Sequence, residues 1–164
     1  MGEAEAEFQR LVGGLDYPLY IVTVANGEER SGCVVGFASQ CSIRPPRYWI
    51  CISKKNHSFD VAMAAQTMVV HVPGPDQRAL VSLFAEETGD EVDKFSRCDW
   101  ELGPDGITPV LSDCDRWFAG RVLDHVDPGD HVSFLLDVTA ASSGDMQGQL
   151  GFQEAKEMDP GHDA

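Results

Sequence analysis

Lys54-Lys55-Asn56-His57-Ser58 is the most chemically suggestive run in the chain. Two ammonium groups, an amide and a hydroxyl stand just ahead of a helical pattern, FDVAMAAQ at Phe59–Gln66. With Ser58 as cap, the N–H groups opening that helix would join the lysines in holding a dianionic phosphate. The chain has 27 acidic against 12 basic residues, a net charge of −15, so adjacent lysines at a helix start stand out. The same run also reads as a solvated loop with a capping serine.

A second stretch, SGCVVGFASQCSIRPP at Ser31–Pro46, is short of large side chains. Its glycines, Gly32 and Gly36, and its polar Ser39, Gln40 and Ser42 suggest that something comes close to its backbone. Two barrel strands with glycines at a tight bend is the plainer reading. Metal chemistry has little support. The five histidines, at 57, 71, 125, 131 and 162, show neither H-x-x-x-H nor H-E-x-x-H spacing. The five cysteines, at 33, 41, 51, 98 and 114, form no C-x-x-C pair and read as small buried apolar residues.

The scaffold that must position these groups is mostly β. Residues 3–12 predict a short helix ended by Gly13-Gly14. Tyr17–Ala25, rich in β-branched and aromatic residues, predicts a strand, and Asn26-Gly27 a hairpin. Further strands are expected over 30–37, 38–43, 47–53, 67–72, 115–124 and 131–140. Besides the helix over 59–66, one is expected over 77–85, capped by Asp76. Residues 86–105 read as irregular. Strands outnumber helices and come as hairpins, which predicts a closed antiparallel barrel with helices at its rim. One domain over 1–141 is expected, followed by an acidic tail over 142–164 that frays except near Leu150–Phe152.

Composition narrows the partners. The negative surface repels nucleic acid and anionic lipid, and no apolar run approaches the ~18 residues that a membrane span needs. The acidic start, MGEAEAEFQR, does not resemble a signal peptide, so a cytoplasmic protein is expected.

At this point the chain resembles the flavin reductase-like family of FMN-binding split barrels. Gly32–Pro46 corresponds to that family's G-M-T-A-S-x-F-T-S-V-S-L-D-P-P-like stretch. Trp49–Ser53 running into Lys54–Ser58 corresponds to its apolar strand and polar loop. Asp93-Lys94-Phe95, Pro109-Val110-Leu111, the strand at Trp117 and Gly129-Asp130-His131 follow in the family's order. The resemblance covers roughly Tyr17–Ala140.

It implies a mainly β, antiparallel split barrel with peripheral helices, assembled as a homodimer, with one FMN, less often FAD, per subunit. The flavin is reduced by NADH or NADPH, and a two-component monooxygenase is the partner such a reductase serves. A flavin-binding protein without substantial turnover, acting as carrier or sensor, is the alternative. By position, ring and ribityl contacts fall on Val34, Val35, Gly36, Phe37, Ser39, Gln40 and Cys41. Phosphate contacts fall on Ser53, Lys54, Lys55, Asn56 and Ser58, and His131 stands beside the flavin to orient the nicotinamide. Lys94 and Phe95 read equally as site residues or as surface lysine and anchoring phenylalanine. The chain departs from the pattern where Thr-Ala-Ser becomes Val34-Val35-Gly36, which leaves only backbone groups to bond the cofactor there.

Overall fold

The computed structural model describes residues 1–86, 93–145, 147–156 and 158. Seven strands form one curled antiparallel sheet in the order β2-β1-β5-β8-β9-β4-β3. They are β1 (Tyr20–Asn26), β2 (Glu29–Val35), β3 (Ala38–Ser42), β4 (Arg47–Ser53), β5 (Thr67–His71), β8 (Trp117–Val126) and β9 (His131–Ser142). A separate hairpin joins β6 (Trp100–Leu102) to β7 (Pro109–Leu111). The helices are α1 (Glu3–Val12), α2 (Ser58–Ala64), α3 (Arg78–Glu86) and α4 (Phe152–Ala155). None among the described residues is long and apolar enough to cross a membrane.

The sheet curls into a half-barrel because β8 and β9 slip register at Ala119/Gly120 and again at Val122/Asp124. Such bulges add local twist and bend the pair. Gly120 permits the first of them, since a Cβ there would lie 2.7 Å from that of Leu136. The β1–β2 turn carries Gly27 at its first loop position with φ +62°, after Asn26 has paired with Glu29. That is the type II′ arrangement rather than one centred on Asn-Gly.

β1 is buried on both faces, which explains its unbroken apolar run. Tyr20, Val22 and Val24 point into the curl with Ile50, Ile52, Phe134 and Leu136. Leu19 and Ile21 face a second core with Val81, Phe84, Phe95, Leu111 and Leu150. His71 joins β1 to β7 within the second core. Its Nδ1–H donates to the Ile21 carbonyl and its Nε2 accepts from Leu111 N–H, each at 2.9 Å. Burial pushes its pKa down to about 4, so both bonds are made by the neutral ring.

Four expectations change. The sheet ends in the edge strands β2 and β3 as a half-barrel, where the sequence predicts a closed barrel. The first strand begins at Tyr20, because Pro18 instead bridges Gly151 from the far end of the chain. The irregular region expected over 86–105 contains the 3₁₀ turn Lys94–Ser96 and strand β6; residues 87–92 lie outside the described residues. From Gln147 to Lys156, the segment expected to fray outside Leu150–Phe152 packs against the sheet as a strap. Leu150 is fully buried there and α4 follows it.

Candidate functional site

A cavity of about 340 Å³ opens where the chain leaves β2 for β3. Its back wall is Cys33–Phe37, and beside it lie Cys51–Ser53 at the end of β4, Asn56 and His131. Val81 and Ala85 of α3 complete it together with Tyr17 and with Phe152, Ala155, Lys156 and Met158. Of the residues singled out in the sequence, Val34, Val35, Gly36, Phe37, Ser53, Asn56 and His131 are brought together here.

The others stand elsewhere. Ser39, Gln40 and Cys41 lie exposed on the edge strand β3, where Ser39 Oγ donates to Gln40 O and Gln40 Nε2 to Ser42 O. Lys54 Nζ is held by both carboxylate oxygens of Asp127, at 2.7 and 2.8 Å. Lys55 is exposed, and its N–H donates to Ser53 Oγ at 3.3 Å. Ser58 is buried, its Oγ 2.7 Å from that of Ser31. It is the first residue of α2 rather than its cap. His57 stands at the N-cap with no side-chain cap bond, while Asn56 Oδ1 accepts from Ser58 N–H and Asn56 O from Phe59 N–H, each at 2.9 Å. Two of the N–H groups opening the helix, those of Ser58 and Phe59, are thus bonded to Asn56.

The two glycines answer a different need from the one their sequence suggests. A Cβ on Gly32 would lie 2.7 Å from the Phe84 ring, and one on Gly36 would lie 2.8 Å from the Tyr17 ring. In both cases an aromatic side chain of the protein itself comes up against the backbone of β2. Behind that strand Lys94 is buried, its ammonium donating to Phe84 O at 2.9 Å, and Phe95 packs in the second core. Neither lines the cavity.

His131 Nδ1 is 2.7 Å from Asp130 Oδ1. A carboxylate can only accept, so Nδ1 carries a hydrogen, and the tautomer this bond selects has Nε2 as its acceptor. This bond holds the Asp130 carboxyl below its ordinary pKa. The Phe37 ring lies 5.1 Å from the imidazole. Burial pushes the Cys33 thiol up to about 11, so it is no ready nucleophile at neutral pH. No group of three or more metal-binding side chains occurs among the described residues.

Tyr17, α3 and the strap were not legible as parts of a site. The only sequence signal for the strap is the apolar Leu150 and Phe152 inside an acidic tail. The finished cavity falls within the ~300–1,000 Å³ of small-molecule sites. Ser53, Asn56 and His131 give it polar groups; Val34, Val35, Val81, Ala85 and Phe152 give it apolar walls. A flat ring with a polar tail fits that division, and a flavin is such a molecule.

A curled antiparallel half-barrel with a partly apolar cavity at its open edge defines a class of small-molecule-binding proteins. The chain belongs to the flavin reductase like domain family, whose pattern matches residues 12–157. It is 30% identical over 135 residues to a Rhizobium meliloti protein named "Probable flavin reductase", covering 80% of this chain and 42% of that protein. It is 28% identical over 135 residues to the stachydrine N-demethylase reductase subunit Stc3 of Rhizobium meliloti, covering 80% and 56%. The chain thus spans about half the length of these relatives. Among solved structures it resembles the NADH:FAD oxidoreductase SgcE6 of Streptomyces globisporus in complex with NAD and FAD fragments. There the TM-score is 0.79 and the identity 23%, covering 96% of this chain and 90% of that one.

Proposed function

We propose that this chain is an NAD(P)H-dependent flavin reductase that takes FMN, or FAD, in the cavity between the wall 33–37 and residues Ser53, Asn56 and His131. The observation that carries the reading is the meeting of these polar groups with the apolar wall at the end of β2 in one cavity of the right size. Flavin, when bound, supplies the chemistry by accepting a hydride equivalent from a reduced nicotinamide. The chain supplies binding, alignment and exclusion of water.

Each lining group has a definite part. Asn56 Oδ1 is engaged with Ser58 N–H, which turns its amide nitrogen into the group left to donate to a phosphate or ribityl oxygen. Lys54 and Lys55 stand between Ser53 and Asn56 in the same loop; with Lys54 already paired to Asp127, a phosphate there would draw on Lys55 or displace Asp127. Because Asp130 fixes Nδ1 of His131, Nε2 is presented in one orientation to a carboxamide N–H of the nicotinamide. The demethylase reductase subunit among the relatives supports service to a separate oxygenase partner. Assembly as a homodimer belongs to the same proposal and is checked by sedimentation.

One preparation tests the reading. FMN added to the purified protein should lose its fluorescence, and anaerobic NADH or NADPH should then bleach the bound flavin. Unquenched FMN defeats the site, whereas quenching without bleaching defeats the reductase and leaves a flavin-binding protein.

A further inference from the structure

Tyr17 lines the cavity without belonging to any strand of the sheet. The strap holds it. Its carbonyl accepts from Phe152 N–H at 2.9 Å, and its ring stacks on Phe152 with centroids 4.6 Å apart and planes 12° from parallel. The Cε2 edge of the ring lies over Gly36, 2.8 Å from where a Cβ would stand. A glycine in β2 and an aromatic residue from the far end of the chain thus together make room for, and fix, one phenol ring.

The clamp is itself well anchored. Leu19 N–H donates to Leu150 O and Leu150 N–H to Pro73 O, both at 3.0 Å. Gln153 N–H donates to Asp16 Oδ1 at 3.0 Å, and the buried Arg116 reaches Gly148 O at 2.5 Å. The Tyr17 hydroxyl forms no hydrogen bond among the described residues. Partial burial and the neighbouring Asp16 push its pKa above the ordinary value, which keeps it a donor.

We infer that Tyr17, clamped by Phe152, positions the ring of the bound flavin, giving it the face turned away from Phe152 to lie against and a hydroxyl where Val34, Val35 and Gly36 present no polar side chain. This rests on the flavin reading above. Tyr17 is the contacting group, and Phe152 a positioning residue that acts through it.

The test titrates wild type, Tyr17→Phe, Tyr17→Leu, Phe152→Ala and Phe152→Tyr with FMN and with riboflavin, recording quenching and the absorption spectrum of the bound flavin. Tyr17→Phe should weaken both flavins alike, by up to about tenfold for one lost hydrogen bond. Tyr17→Leu should weaken both further and shift the absorption bands, because the stacked face is gone. Phe152→Ala should reproduce part of that shift, and Phe152→Tyr should restore it. Wild-type affinity and spectrum in both Tyr17 variants would overturn the inference while the flavin reading stands. So would a loss confined to FMN, or one that raises only the KM for NADH. A wild-type protein that quenches neither flavin overturns both.

Discussion

The loop 53–58 and the strap 147–156 both line the same cavity, and they are held in place by opposite means. The loop closes largely on itself: Asn56 N–H reaches Ser53 O, Lys55 N–H reaches Ser53 Oγ, and Ser58 N–H reaches Asn56 Oδ1. The strap makes its main bonds across the whole chain, as Gln153 does to Asp16 over a separation of 137 positions. A segment closed by its near neighbours can lose a side chain that takes no part in those bonds at little cost. One that depends on distant partners and a buried anchor cannot.

Breaking the strap should therefore have the largest effect. Leu150 is fully buried in the second core. Leu150→Ala should cost about 2–5 kcal/mol, the range for buried leucine truncation, read as a lower urea midpoint. Flavin affinity should fall with it, since Tyr17 loses its clamp.

The strap side should also carry the acid sensitivity of the fold. His71 lies two residues before Pro73, whose carbonyl holds Leu150 N–H. Its folded pKa is about 4 against an ordinary 6.5, so below pH 6.5 the unfolded chain binds a proton that the folded one refuses. Stability from this group is complete above pH 6.5, falls as pH drops toward 4, and levels off below. The full loss is on the order of 3 kcal/mol. Urea unfolding from pH 7 to pH 4 should show that slope, and His71→Gln should flatten it.

The loop should respond least in stability and most selectively in binding. Lys54 is exposed and paired with an exposed Asp127. Changing Lys54 and Lys55 together to alanine should move stability by less than about 1 kcal/mol, yet weaken FMN far more than riboflavin. Equal losses for the two ligands would refute the phosphate role of the lysines.

Phe84 and Tyr17 explain why the wall was harder to read than the loop. Gly32 and Gly36 announce that the β2 backbone is closely approached, and that inference from residue size is sound. What approaches is a matter of tertiary placement. Phe84 arrives on α3, and Tyr17 is turned by a strap more than a hundred positions away in sequence. Ser39, Gln40 and Cys41 illustrate the converse. Their polarity invites a site, but the pairing of β3 with β4 leaves them on an exposed edge.

By itself the sequence determined the β-hairpin architecture, because alternation, β-branched runs and turn residues act over a few positions. It also determined the family and the residues 34–37, 53, 56 and 131 that meet in the cavity. Only the tertiary structure decided which of their side chains face that cavity and that the acidic tail returns to complete the wall. Those outcomes depend on the curl of the sheet and on hydrogen bonds between ends of the chain, which no local pattern encodes.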